Sequence, residues 1–434
     1  MPEVQPLPNT TPDTSRESPL VINWNEKTKS WSCQCRTTNQ SWLEISSKTA
    51  TWKGSFGDVY VAVHKRFGKV ALKQCLLSGK NNGNTNNNVT GGGSSSSTAA
   101  KNYLQTGSSS TTTTTSQLPP QPDIQMSEEQ LLTFQRELYA FHAIEETRKQ
   151  RQGNPHANLV QYFGTLLPEA TANTSALGLL IELVDGNNLY ELSTNGQYKF
   201  SNSARVAHSH QLASALLHLH GAVRLVHRDV KPQNCVVSHR PTDLPIYGFP
   251  YMQNTNLADG NYYNALKVCD FGKTLELMPP RRTSAMLTTS GTTSSPSLVQ
   301  TSTSSSAPAP LYTAFIKENG GSPRYMPREA FQQNSFITER VDSYAFGCFL
   351  LEIFTQKVPF PDVQNLHEIT QMITGRMGAT PPIPVAQIPG SLLPLLQQCF
   401  RLRPEDRPCM AEAVYWIKAR WTEMVSSAPV VLGS

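Results

Sequence analysis

Three stretches of this chain cannot join a packed core, and they set how much of it can. Residues 78–125 contain the runs NNGNTNNNVTGGGSSSSTAA and GSSSTTTTTSQLPPQP, whose ordering entropy no buried apolar surface could offset. Residues 279–310 are again mostly Ser, Thr and Pro, with two arginines. The stretch 239–264 is mixed, because Tyr247, Phe249, Tyr251, Tyr262 and Tyr263 could pack on a surface. Residues 1–20 read as a disordered tail and 425–434 as a C-terminal tail. Residues 21–44 form an extension carrying Trp24, Trp31 and Trp42, either an extra strand or a pad against the neighbouring lobe. Within 45–424 the three insertions leave roughly 270 residues, the size of one large domain or two fused lobes.

Composition narrows the class. Only 16% of the 434 residues are charged, because the polar tracts are filled with neutral side chains. The net charge of +5 is spread thinly and gives no argument for nucleic acid as a partner. Eight cysteines are scattered along the chain, so reduced thiols are expected; Cys33 and Cys35 lie close together, but no second pair or nearby His completes a zinc site. The N-terminus has neither a basic opening nor an apolar run, which argues against a targeting peptide. The strongest apolar run, Ala345 to Phe354, is shorter than the roughly 18 residues of a membrane span and contains Glu352. A soluble cytoplasmic protein with access to the nucleus is expected.

What remains is periodic. Val59, Val61 and Val63 alternate after a glycine-bearing turn, and Val70 and Leu72 alternate with Ala71 and Lys73, which predicts a hairpin. Ser127 can cap a helix with Gln130 three residues on, and Leu131, Phe134, Leu138 and Phe141 form one apolar stripe. That helix can run to Gln150, before Gly153 and Pro155 stop it. Strands are predicted at Leu159–Leu166 and Leu177–Val184. From Ser203 the pattern becomes helical, with later helices at Val341–Phe354, Leu392–Phe400 and Met410–Met424. Strands first and helices second describe an α+β chain, a small β-rich lobe with one helix joined to a larger, mainly helical lobe.

Four short motifs then fall in a telling order: Gly54-Ser-Phe-Gly57-Asp-Val59, Val70-Ala-Leu-Lys73, His227-Arg-Asp229-Val-Lys231-Pro-Gln-Asn234 and Asp270-Phe-Gly272. Gly54 and Gly57 let backbone approach a polyphosphate closely. Lys73 puts an ammonium in an apolar strand, where it must find an anion or snorkel out. Asp229 and Asp270 each sit in a short motif that, standing alone, would read as a turn or loop. With Gly321-Ser-Pro-Arg-Tyr-Met-Pro-Arg-Glu329 and Arg407, the set resembles the eukaryotic protein kinase family, and Gly186 and Leu189 resemble its tyrosine-kinase-like group of serine/threonine kinases.

The resemblance implies the bilobal kinase fold, ATP and two Mg2+ ions, with Mn2+ able to replace them. It implies Asp229 as catalytic base, Lys231 on the transferring phosphate, Asn234 and Asp270 on metal, and Lys73 on the nucleotide phosphates, paired with Glu137. Gly54, Gly57, Val59, Ala71 and Val236 would enclose the nucleotide; the hinge Glu182–Asp185, including Val184, would read adenine behind Ile181. His227 is expected to pack with Phe271, Ser322 to contact Asp229, and Asp342 to support the catalytic loop. Glu329 is expected to pair with Arg407. Arg228 would bind a phosphorylated residue of the segment from Asp270 to Glu329, Thr283, Ser284, Thr288, Thr289, Ser290, Thr292, Thr293 and Thr313 being candidates. The phosphate would come from an upstream kinase or from autophosphorylation in trans. Two positions depart from the pattern: Trp52 stands where the first loop glycine is expected, and Pro327-Arg328-Glu329 replaces Ala-Pro-Glu. Lys231 favours serine and threonine of protein substrates over tyrosine. A different class, a pseudokinase serving as a nucleotide- or protein-binding scaffold, is the alternative, kept by those departures and the long insertions.

Overall fold

The computed structural model describes residues 22–25, 30–33, 37–38, 43–46, 52–54, 57–76, 128–167, 176–194, 201–238, 265–279, 312–375 and 378–426. The expected insertions at 78–125 and 239–264 and the tail 1–20 lie outside the described residues, as does 279–310 apart from Pro279.

The hairpin expected from valine alternation forms β6 (Gly57–His64) and β7 (Gly68–Leu76), paired antiparallel with Val61 opposite Ala71. Around it β4 (Leu43–Ile45) and β5 (Trp52–Gly54) pair with β6, while β9 (Ala176–Glu182) pairs with β7 and β8 (Tyr162–Leu166) with β9. A short β3 (Thr37–Thr38) runs parallel to β8 and closes the seven-stranded sheet. The extension therefore supplies strands, and its first part is a separate hairpin of β1 (Ile22–Asn25) and β2 (Ser30–Cys33).

Against this sheet lies α1 (Glu128–Gln150), which buries Phe134, Glu137, Leu138 and Phe141. Leu131, expected on the same stripe, is only half-buried, because the stripe meets its neighbours from the second turn onward. The helical lobe follows with α2 (Leu189–Thr194) and α3 (Asn202–His218), whose first turn is capped by the Ser201 hydroxyl accepting from the Ala204 amide. Helix α4 (Arg340–Thr355) is buried all round from Val341 to Phe354, the property of a helix at the centre of a lobe rather than on its surface. Helix α5 (Leu366–Thr374) lies on the turns Pro323–Tyr325 and Arg328–Phe331, α6 (Leu393–Cys399) and α3 pack against α4, and α7 (Met410–Ala419) and α8 (Trp421–Ser426) pack against α3. The helix expected over Met410–Met424 is thus two, broken at Arg420, whose guanidinium sits over the Trp416 ring 3.8 Å from its centre. Helix α5 was not anticipated; it is short and buries only Ile369 and Ile373.

Between the lobes the chain makes short ladders. β10 (Gly186–Asn188), β12 (Cys235–Ser238) and β13 (Leu266–Val268) form one, and β11 (Leu225–Val226) pairs with β14 (Leu275–Glu276). β15 (Ala314–Ile316) pairs with β16 (Ser335–Ile337). Gly186 is needed where β10 meets β12, since a Cβ there would lie 1.8 Å from the Val237 carbonyl oxygen. Among the described residues no helix is long and apolar enough to cross a membrane.

The load on α4 is measurable. Phe349 is fully buried in the central cluster, so Phe349→Ala should lower unfolding free energy by about 3 to 5 kcal/mol in urea titrations.

Candidate active site

Lys73 occupies the middle of β7, and its Nζ lies 3.0 and 2.7 Å from the two Glu137 oxygens and 3.0 Å from Asp270 Oδ1. Burial disfavours the ammonium, but the two carboxylates overcome this and raise its pKa above the ordinary lysine value. Burial likewise opposes ionisation of Asp270, yet Lys73 holds its carboxyl down at about 2. Burial pushes Glu137 up, and Lys73 pulls it back. Asp270 and Arg228 both hold left-handed backbone, with φ of 64° and 68°. Such conformations persist where surrounding contacts over-determine them.

Those contacts are visible. The ring of Phe271 meets Phe141 edge-on at 5.2 Å and His227 at 5.4 Å, while Phe141 stacks on Tyr162 at 5.3 Å. This aromatic column runs from the sheet through α1 to the loop after β11. The loop hangs from Asp342 in the first turn of α4, which accepts from the backbone amides of His227 at 2.7 Å and Arg228 at 2.8 Å. His220 Nε2 lies 2.8 Å from the same carboxylate. Asp342 is fully buried and inside the helix, so it is more than a terminal cap.

The loop then presents a second cluster. Lys231 Nζ donates to Asp229 Oδ2 and to Ser322 Oγ, both at 2.8 Å, and Ser322 Oγ donates to Asp229 Oδ1 at 2.8 Å. Asn234 Nδ2 donates to the Asp229 carbonyl at 2.8 Å and to Oδ2 at 3.0 Å, which leaves its own carbonyl oxygen for a cation. Asp270 gives one oxygen to Lys73, and its side chain remains 35% exposed. A carboxylate and an amide carbonyl are hard oxygen donors, the set that suits Mg2+ when substrate phosphates and water complete the shell.

A profile described as "Protein kinase domain" matches residues 132–417. The chain belongs to the protein kinase family. It is similar to "Mitogen-activated protein kinase kinase kinase 7" of Drosophila melanogaster, 24% identical over 62% of this chain and 30% of that protein. It is also similar to "Mitogen-activated protein kinase kinase kinase zak-1" of Caenorhabditis elegans, 26% identical over 59% of this chain and 27% of that one. "MAP kinase kinase kinase wis4" of Schizosaccharomyces pombe is 24% identical over 58% of this chain and 14% of its own length. The chain therefore matches less than a third of each of these three relatives. They agree with placement in the tyrosine-kinase-like group.

Within this member of the family the sequence-derived residues fall as follows. Lys73, Glu137 and Asp270 form one cluster; Asp229, Lys231, Asn234 and Ser322 form another. Gly54 and Gly57 are opposite each other at the tip of the β5–β6 hairpin, and Trp52 pairs with Val59 as a strand residue. Ala71 pairs with Ile181. On β12, Cys235 and Val237 are buried while Val236 is half-buried on the alternate face. The hinge carries a job the sequence did not reveal: the Glu182 carboxylate accepts from Lys267 Nζ at 3.0 Å and from the Gln161 amide at 3.1 Å. Its own amide is committed as well, donating to the Gln161 carbonyl at 2.8 Å. Farther on, Arg407 Nη2 reaches Glu329 at 3.1 Å, and Arg324 donates to the carbonyls of Pro359, Phe360 and Val363. The Pro327-Arg328 departure sits in a tight turn whose Pro327 carbonyl accepts from Ala330.

Another buried acid beneath this segment is Glu352, the one acid within the apolar run Ala345 to Phe354. The Tyr325 hydroxyl donates to Glu352 Oε2 at 2.5 Å, and burial pushes the Glu352 carboxyl up to about 7 despite Tyr325 and Arg324. The folded state keeps this proton to about pH 7, whereas an ordinary glutamate loses it near 4.5. Stability should therefore fall as pH rises through that window, by up to about 3 kcal/mol. Glu352→Gln should flatten this pH dependence in denaturant titrations between pH 4.5 and 8 and be the more stable protein at pH 8.

Proposed function

We propose that this chain transfers the γ-phosphate of ATP, with magnesium, to serine and threonine hydroxyls of proteins. The observation that carries the reading is the hydrogen-bonded set of Asp229, Lys231 and Ser322, with Lys73, Glu137 and Asp270 forming the facing cluster. Asp229 would orient the substrate hydroxyl and accept its proton, taking the place on its carboxylate that Ser322 holds here. Lys231, already within reach of Asp229, would supply positive charge beside the transferring group. Lys73, kept charged by its two carboxylates, would align the nucleotide phosphates. Bound divalent metal, held by Asp270 and Asn234, would neutralise charge that builds up during transfer.

By name, the relatives stand two steps above a MAP kinase. Protein substrates are therefore inferred, with other protein kinases the first class to test. The same resemblance makes an upstream kinase a candidate partner.

The test separates binding from transfer. Asp229→Asn removes the proton acceptor with almost no change in volume, and should leave magnesium-dependent ATP binding near wild type while cutting transfer by at least about 100-fold. ATP titration, labelled phosphate transfer and phosphoamino-acid analysis would be run on both proteins. Equal transfer rates would defeat the assignment of Asp229, and phosphotyrosine as the main product would defeat the specificity. ATP binding without transfer by either protein would favour a scaffold.

A further inference from the structure

The kinase reading leaves one ion pair without a task. Arg136, beside Glu137 on α1, places Nη1 2.6 Å from Oε1 of Glu318, which lies just beyond β15 in the segment between Asp270 and Glu329. Neighbouring residues on a helix point about 100° apart, so one side chain reaches this segment while the next reaches Lys73. A rotation of α1 that broke one contact would strain the other.

Arg228 approaches the same place from the catalytic loop. Its Nη2 donates to the Glu318 backbone carbonyl at 3.1 Å and its Nη1 to the Lys273 carbonyl at 3.3 Å, while its buried Nε has no hydrogen-bond partner. Burial and the neighbouring Arg136 lower its pKa to about 10, and Glu318 works against them. Glu318 thus holds both cations, Arg136 through its carboxylate and Arg228 through its backbone carbonyl. The chain around it is shaped for the approach: Gly321 has φ +116°, and a Cβ there would meet the Arg228 carbonyl at 2.4 Å. Ile316, two residues before Glu318, accepts from the Asn334 amide at 2.7 Å, so the acid is delivered by a paired strand. A further pair, Lys273 with Glu129 at 3.7 Å, joins the segment to α1 seven residues earlier on the helix.

We infer that Glu318 is a positioning residue: its carboxylate holds Arg136 of α1 while its carbonyl holds Arg228 of the catalytic loop, an encoded tie between helix and segment of the kind a phosphorylated side chain would otherwise supply. Resting on the kinase reading above, this means that α1 keeps Glu137 on Lys73 without phosphorylation of the segment. A carboxylate can form the same charge-assisted bonds to arginine as a phosphate, with less charge. The hydroxyls between Thr283 and Thr293, outside the described residues, would then be dispensable for basal turnover, as would Thr313, whose backbone is bridged to Met278.

The experiment uses the full chain, stripped of phosphate by a phosphatase and checked by mass. Treated wild type should keep most of its transfer activity. Glu318→Gln should lose about tenfold in kcat with little change in ATP affinity, and the exchanged pair Arg136→Glu with Glu318→Arg should recover much of the loss. Amide hydrogen exchange supplies a readout independent of catalysis: Glu318→Gln should exchange faster over residues 130–141 and 312–320 at unchanged melting temperature. Two results would overturn the inference: unchanged exchange in Glu318→Gln, or activity of wild type that vanishes on phosphatase treatment and returns on rephosphorylation. If wild type transfers no phosphate in any state, the kinase reading fails, and the exchange data alone decide the role of Glu318.

Discussion

The ammonium of Lys73 cannot be buried alone, and much of the architecture follows from that. Its partners arrive from 64 and 197 residues away, on α1 and on the turn after β13. An isolated charge in that position would be paid for in several kcal/mol of lost hydration, so a fold that fails to deliver both carboxylates cannot close over the strand. The aromatic column repeats the demand in another form. Phe141, one turn along α1 from Glu137, meets Phe271, the residue after Asp270. Charge pairing and ring packing therefore fix the same helix against the same turn, each making the other's geometry harder to abandon.

The lower half of the site has a different foundation. Asp342 gathers the loop amides onto α4, and α4 is sheathed in apolar side chains almost along its whole length. Asp229, Lys231 and Asn234 are thereby carried by the least exposed of the described helices, although they sit on a loop. Loops can place reacting groups well when their ends are set in such a frame.

What could be read from the sequence was local. Valine alternation marked β6 and β7, while Glu137 came through resemblance, and the helix turns it inward between Phe134 and Phe141. The expectation of an aspartate supporting the catalytic loop came through resemblance, and its contacts with His227, Arg228 and His220 are tertiary facts. Short elements escaped: α5 has just two buried side chains, and the break at Arg420 depends on what surrounds the helix. The ion pair of Arg136 and Glu318 spans 182 residues with no motif at either end, so no window of sequence could expose it. The hinge contact of Glu182 with Lys267, 85 residues apart, is hidden for the same reason.

That hinge contact bears on what the cleft can accept. Lys267, only 5% exposed, fastens β13 to the hinge, and the backbone continues from β13 through Cys269 to Asp270. On the function proposed above, the base and the phosphates of a bound nucleotide would thus both be held from one short strand. Its length acts as a ruler. A nucleotide bound as proposed would have its base and its phosphates spaced by the same piece of backbone.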